Sequence, residues 1–344
     1  MRAAATDYLV RGAGPVGCVA ALALAQSGAR VIVHGRETGP AGFRPIVLSY
    51  ASRLILERLG VWGALATSPI RTIQVSQAGR FGRTVFDAHD CGVPDLGYVL
   101  DYAALLGALQ AAAKSLLGGE SDGRCIVHAE GAAPDAEAKR YAQDAIVARV
   151  RFSIPARDAA YERFTAGGPL ALLPLGERYA LVWSMPPGRA RELAQAPEAQ
   201  FLDALAQLAP ARAGRPLAAD GRTIHPLSLR FRRTAVQGNE IYIGNAAQTL
   251  HPVAGQGLNV GMRDAWELAQ IVRGHEPGDA QLLARFAASR RRDATAAIRV
   301  TDFLASAFSK SSAWSGMALT ALDILPAPRR FFARRMIYGT AALP

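Results

Sequence analysis

The stretch Tyr8-Leu9-Val10-Arg11-Gly12-Ala13-Gly14-Pro15-Val16-Gly17, followed by Cys18 to Gln26, Gly28 and Val31-Ile32-Val33-His34, decides the fold. A short apolar strand runs into glycines spaced G-x-G-x-x-G, then into an Ala/Leu-rich helix ended by Gly28, then into a second apolar strand. The first glycine permits a tight turn, the second lets a pyrophosphate approach the backbone, and the third lets the helix pack on the strand. The start of the helix then offers unpaired N–H groups to the phosphates. Gly12, Gly14 and Gly17 are therefore read as dinucleotide-binding residues within one βαβ unit. That fingerprint asks for Asp or Glu at the end of the second strand, to hold the ribose. Here His34 is followed by Gly35, Arg36 and Glu37. Spacing leaves two readings open, Glu37 reaching the ribose from a shifted turn and Arg36 selecting a 2′-phosphate.

Working outward, 344 residues with 50% apolar and 19% charged residues exclude a disordered chain and suit two domains, or one α/β unit with an insertion. Leucines at helical spacing over 52–59 and a helix over 103–117 bracket a strand-like stretch, 70–99, cut by Gly79, Gly82, Gly92 and Pro94. Composition loosens over 118–140. Strands are expected at 146–154, 170–173, 179–184 and 222–232, with a helix at 197–208. The strand, glycine turn and helix order then returns, with a strand at 240–244, helices at 258–273 and 280–308, and a glycine-rich loop after the strand. Nucleotide-like features thus sit at both ends of a β-rich block. The expected division is a discontinuous nucleotide-binding domain (1–69, 101–145 and 236–310), an inserted β-rich substrate domain (70–100 and 146–235) and a basic, aromatic C-terminal tail (311–344).

The loop before the helix at 258 is the second motif. Ile241-Tyr242-Ile243-Gly244-Asn245-Ala246-Ala247-Gln248-Thr249-Leu250-His251-Pro252-Val253-Ala254-Gly255-Gln256-Gly257-Leu258-Asn259-Val260-Gly261-Met262-Arg263-Asp264 resembles the second flavin signature of the FAD-dependent aromatic hydroxylases. Within that family it is most similar to the ubiquinone-biosynthesis branch, the polyprenyl-methoxyphenol hydroxylases. Phe43-Arg44-Pro45, Leu59-Gly60-Val61-Trp62, Gly97-Tyr98-Val99-Leu100 and Glu162-Arg163-Phe164-Thr165 with Gly168-Pro169-Leu170 carry the same resemblance. It implies an α/β fold, a Rossmann-like FAD-binding domain of the p-hydroxybenzoate hydroxylase type with an inserted β-rich substrate domain. It further implies FAD and NADH or NADPH as cofactors, and a polyprenylated phenol and O2 as substrates. Under the resemblance Arg44 lies on the pyrophosphate side, Asn245 beside the ribityl chain and Pro252 near the ring. Backbone donors around Gly255, Gly257, Leu258 and Asn259 face the negative charge of a reduced flavin. His251 shapes the loop and carries no acid–base role. Glu130-Gly131 stands where the family has Asp-Gly, with no S-x-x-R after it. The passage from Lys114 to Cys125 is short enough to imply a missing sheet element and an adenosine side open to water.

Several function classes fall away on composition. Cys18, Cys91 and Cys125 are odd in number and widely spaced, against a disulfide framework or zinc ribbon and in favour of a reducing compartment. The histidines form no ligand cluster, so no metal is expected. The charge of +11 comes from arginine without any nucleic-acid motif, and no nucleic-acid partner is expected. No stretch is apolar enough to span a bilayer and no secretory signal is read at residues 1–6, so the expectation is a cytoplasmic protein, peripheral at the inner face of the membrane. Basic and aromatic residues interleave in Arg329-Arg330-Phe331-Phe332-Ala333-Arg334-Arg335, which suits contact with an anionic bilayer or packing on the core. Trp183, Tyr161 and Phe164 are read as core residues or as pocket lining. The competing function is a degenerate homologue serving as a binding or assembly component of a quinone-biosynthesis complex, motivated by Gly35, Glu130 and the short middle. An NADP-linked dehydrogenase would use Arg36 but leaves 244–264 unexplained.

Overall fold

Strand β1 (Thr6–Arg11) carries the run Tyr8-Leu9-Val10, all buried, as a strand covered on both faces requires. The structure, a computed structural model, describes residues 6–35, 42–119, 122–131, 137–249, 255–307 and 313–339. Helix α1 (Pro15–Gln26) starts at a proline, which lacks an N–H where the helix has no partner for one. Gly28, at φ +94°, turns the chain into β2 (Val31–His34), parallel to β1. There follow β3 (Pro45–Ser49), α2 (Tyr50–Arg58), β4 (Ser68–Ile70), β5 (Thr72–Gln77), β6 (Arg83–Asp87), the single turn α3 (Ala88–Cys91), β7 (Gly97–Asp101) and α4 (Tyr102–Ala112). The middle holds β8 (Gly123–His128), β9 (Glu137–Phe152), β10 (Ala159–Thr165), β11 (Gly168–Leu175), β12 (Arg178–Met185), α5 (Pro187–Gln195), α6 (Glu198–Ala206) and β13 (Pro216–Phe231). Last come β14 (Val236–Gln237), β15 (Glu240–Tyr242), β16 (Gln248–Thr249), α7 (Gln256–Val272), α8 (Ala280–Ala307), α9 (Ala313–Ile324) and α10 (Pro326–Tyr338).

The strands assemble into a five-stranded sheet, β14-β15-β8-β1-β2, an eight-stranded sheet, β16-β13-β9-β12-β11-β10-β5-β6, and a three-stranded sheet, β3-β7-β4. Three distant chain segments meet in the first sheet, where β15, β8, β1 and β2 run parallel. Its core joins α1, α4 and α7 through residues such as Leu24, Leu109 and Leu268. Gly261 lets α7 lie against α1, because a Cβ there would stand 2.7 Å from Val16 Cγ2.

The eight-stranded sheet alternates with period two. One face packs Ile146, Leu170, Leu172, Leu181 and Trp183 against Phe201 and Leu205 of α6. The other turns Val147, Leu173 and Val182 inward. Strand β9 begins at Glu137, where the sequence suggested a loose segment, because β13 is long enough to pair with it from Phe231↔Glu137 to Pro216↔Phe152. A ladder partner supplies hydrogen bonds that composition does not reveal. This strand crosses the division expected at 145.

Between α4 and β8 the described residues hold no strand, only one parallel bridge of Leu117 to Val33. The tail expected at 311–344 is built, over 313–338, as two helices. Leu319, Ala333 and Ile337 are buried against the rest of the molecule.

Candidate functional site

The glycine turn is dictated partly by the chain itself. Gly12 has φ +103°, and a Cβ there would lie 2.7 Å from the backbone of Ala129 and Glu130. A Cβ at Gly17 would lie 1.9 Å from the carbonyl oxygen of Gly12. Gly14 differs: at φ −72° and ψ 175° its conformation is open to any L residue. Its backbone gives no reason for a glycine. Gly14 caps α1, which has no side-chain cap, so the first-turn N–H groups remain available to a bound anion.

The second loop is held from below by buried charge. Gly244, at φ +56°, follows β15 and donates its N–H to Asp264 Oδ2 at 3.0 Å, and Gln248 Nε2 donates to the same oxygen at 2.7 Å. Arg290 Nη1 donates to Asp264 Oδ1 at 2.9 Å and to Asp293 at 3.2 Å, while Arg263 pairs with Asp293 at 3.2 Å and Arg290 also meets Glu267. The Arg263, Asp264, Arg290 and Asp293 side chains are all under 5% exposed. Arg290, Asp293 and Glu267 were absent from the sequence reading, since no local pattern announces that α8 supplies counter-ions to α7. Isolated charges of this kind are costly, but here each has partners.

Helix α7 starts at Gln256, two residues before its expected start, and is capped by Gly255 at φ +60° without a side-chain hydrogen bond. The N–H groups of Gln256, Gly257 and Leu258 fall in the first turn, where no earlier helical carbonyl is available. The Asn259 amide is spent on the chain. Its Oδ1 accepts from Ser49 N–H at 2.8 Å and Ser52 Oγ at 2.7 Å, and its Nδ2 donates to the carbonyls of Val47 and Gly255, both at 2.8 Å. Asn259 thereby fixes the start of α7 to β3 and α2.

Both loops open into one cavity of about 1020 Å³, at the top of the range for small-molecule and cofactor sites. Gly12, Gly14, Arg44, Glu130, Asn245, Gly255, Gly257, Leu258 and Asn259 line it. Gly17 lies behind the turn, against Gly12. Glu37, His251 and Pro252 lie outside the described residues. Arg44 is exposed at the mouth, its guanidinium 4.7 Å from the centre of the Tyr102 ring. Burial raises the Glu130 carboxyl, but a 2.9 Å hydrogen bond to His128 and one from the Ala129 N–H outweigh that and hold it below its usual range. His34, the residue before Gly35, also lines the cavity, and its buried Nδ1 has no partner among the described residues. His225 is held below its usual range by burial and by the charge of Arg44.

The far end of the cavity is apolar. The inward face of the eight-stranded sheet contributes Ile73, Val75, Ala160, Ala171, Leu173 and Val182, and α9 and α10 close it with Leu319, Leu322, Phe332, Met336 and Ile337. Of the three aromatic residues weighed for a pocket, Tyr161 and Phe164 line the cavity, and Trp183 packs on Phe201 behind the sheet, ring centres 6.2 Å apart. Among the described residues no group of His, Cys, Asp and Glu could hold a metal ion, and no helix is long and apolar enough to cross a membrane.

This arrangement fits a flavin dinucleotide. Uncapped helix starts converge on one end of a cavity with room for a ring system beside them, and the orphaned Nδ1 of His34 offers a buried polar atom on the same wall. Comparison with known proteins agrees. A sequence profile described as an FAD binding domain matches residues 132–301. The chain is 32% identical to 3-demethoxyubiquinol 3-hydroxylase of Escherichia coli over 78% of its own length and 79% of that protein's. It is 29% identical to ubiquinone hydroxylase UbiL of Rhodospirillum rubrum, over 98% of this chain and 90% of that one. The crystal structure of p-nitrophenol 4-monooxygenase PnpA from Pseudomonas putida superimposes with a TM-score of 0.77 at 16% identity, covering 98% and 99% of the two chains. The fold is that of the p-hydroxybenzoate hydroxylase type, and the protein is a flavin-dependent monooxygenase. More narrowly, the chain belongs to the FAD-dependent aromatic hydroxylase family, on its ubiquinone-biosynthesis branch.

Proposed function

We propose that this enzyme uses FAD and NADH or NADPH to hydroxylate a polyprenylated phenol in ubiquinone biosynthesis. The observation that carries the reading is a single cavity with uncapped backbone donors at one end and an apolar face at the other. FAD, when bound, supplies the redox chemistry that moves two electrons from the nicotinamide and one atom of O2 to the ring. The chain holds and shields it. The N–H groups at the start of α1 and the turn Gly12–Gly14 receive the pyrophosphate, with Arg44 offsetting its charge. His34 Nδ1 accepts a ribose hydroxyl, and Glu130, set by His128, borders the same end. Asn245 faces the ribityl chain. The N–H groups of Gly257 and Leu258, positioned by Gly255 and Asn259, stabilise negative charge on the ring system. Glu37 keeps the ribose role that the spacing of the glycine fingerprint offers it, and Pro252 the place near the ring that the family resemblance gives it.

A prenyl chain needs an apolar route. Helices α9 and α10 line the cavity on their inner side, and on their outer side Met317, Ile324, Leu325 and Phe331 are more than half exposed among arginines. Phe81, beside Gly82, which touches Gly316, extends the same patch. We infer peripheral contact with an anionic bilayer through this face, from which the substrate enters. The test of the enzyme reading is direct. Purified protein absorbs in the flavin bands or is reconstituted with FAD, and its oxidation of NADH or NADPH accelerates when a prenylated phenol is added. Colourless protein that takes up no FAD overturns it.

A further inference from the structure

Among the described residues Glu162 is the one charged side chain at the apolar end of the cavity. It sits on β10, paired directly with Val75 on β5 and Ala171 on β11, and the same cross-strand row continues to Val182 and Val147. All five residues line the cavity, so the carboxylate stands in the middle of an apolar sheet face. Among the described residues it has neither hydrogen bond nor ion pair. Among the described residues the other ionisable groups lining the cavity are Arg11, His34, Arg44, Tyr102, Glu130 and His225 at the nucleotide end, and Tyr161, which packs with Tyr179 on the opposite face of the sheet, ring centres 6.0 Å apart. His225, on β13, lies four strands away from Glu162, roughly 19 Å at the usual strand spacing. From α9 and α10 the facing residues are Leu319, Leu322, Phe332 and Met336, none of which titrates. The Glu162 side chain is half-buried and its carboxylate opens onto the apolar cavity wall without a partner, an arrangement that packing alone does not call for. Burial pushes its carboxyl up to about 7, so small changes near neutrality set its charge.

We propose that Glu162 is a specificity-determining residue that accepts the hydrogen bond of a ring hydroxyl and excludes rings bearing a carboxylate. This deepens, and rests on, the reading of the substrate as a phenol. A neutral phenol donates its O–H to the Glu162 carboxylate while the rest of the ring and the prenyl chain lie on the apolar face. A ring carboxylate in the same place meets a like charge in a poorly solvated site, and no cation at that end of the cavity relieves it.

The experiment compares 2-prenylphenol with 4-hydroxy-3-prenylbenzoate, which differs only by the ring carboxylate, by calorimetric titration of the FAD-loaded enzyme. At about pH 8, where Glu162 is ionised, the wild type binds the phenol at least about 10-fold more tightly. That preference shrinks at about pH 6, where Glu162 is largely protonated, and Glu162→Gln brings it within about threefold at both values, with FAD content retained and melting temperature not lowered. Glu162→Leu weakens the phenol about 10-fold, the scale of one hydrogen bond to a charged group. If the wild type binds 2-prenylphenol but the preference survives in Glu162→Gln, the role of Glu162 is refuted and the phenol reading stands. If the wild type binds neither compound, both fall.

Discussion

The two ends of the cavity are made in opposite ways. At the nucleotide end, backbone N–H groups of two helix starts face inward beside a few polar side chains, and the turns are held from behind by the Asp264, Arg290 and Asp293 cluster and the four bonds of Asn259. At the apolar end, side chains of three separate parts of the chain form the surface, and one of them, Glu162, is left without a partner. The difference teaches where each kind of recognition is stored. Backbone recognition is stored in glycines and in buried counter-ions, and tolerates little change. Side-chain recognition is stored in strand register, and tolerates substitution at the cost of selectivity.

The most damaging change falls on the first end. Asp264→Ala removes the acceptor of the Gly244 N–H and strands Arg290 among fewer counter-charges, with an expected loss of about 3–5 kcal/mol by urea unfolding. A loss below about 1 kcal/mol would show that the loop does not depend on this cluster. Gly14→Val sharpens the contrast next. Its φ of −72° accommodates valine, so stability holds, while the side chain intrudes where phosphates lie and weakens FAD by about 1–3 kcal/mol, roughly 5–150-fold, in equilibrium dialysis. Undiminished FAD binding would remove the phosphates from this turn.

At the second end the effects are smaller and depend on pH. The folded protein holds a proton on Glu162 up to about 7, against an ordinary 4.5, so it binds that proton more tightly than the unfolded chain does. Stability is therefore fully present below about pH 4.5 and declines as pH rises to about 7. Glu162→Gln has no such proton to lose. The variant should match the wild type at about pH 4 and exceed it at about pH 8 in chemical denaturation; parallel profiles would show that the carboxyl is not isolated. The mildest expected effect is on the outer surface. Phe331→Ser, at a side chain 73% exposed, should leave FAD content and folding intact and reduce cosedimentation with anionic vesicles by a few-fold. Equal retention on vesicles would place the membrane contact elsewhere or nowhere.

Much of the nucleotide end was legible along the chain. Gly12 and Gly17 announced the close contacts they make, and the run from Ile241 to Asp264 announced a second turn and helix, two residues out of place at the start of α7. His34, next to the Gly35 that stands where the fingerprint asks for an acid, carries no motif of its own. Its importance lies in an orphaned Nδ1, which is a property of burial. Arg290 and Asp293 fall within the helix expected over 280–308 with no local pattern to mark them, and only the approach of α8 to α7 turns them inward. The loose composition of 118–140 hid the first turns of β9, because its partner β13 lies some ninety residues away.

What the sequence determined by itself was therefore the set of local geometries: which glycines turn, which helices start uncapped, and that a flavin fold of the aromatic hydroxylase type is present. These follow from φ, ψ and side-chain volume, which neighbours along the chain fix. Tertiary structure alone decided that both turns open into one cavity, that α9 and α10 close its far end, and that Glu162 stands unpaired on the inward face. Those facts depend on strand register and helix packing between segments far apart in sequence, where a shift of one residue would send Glu162 to the opposite side of the sheet.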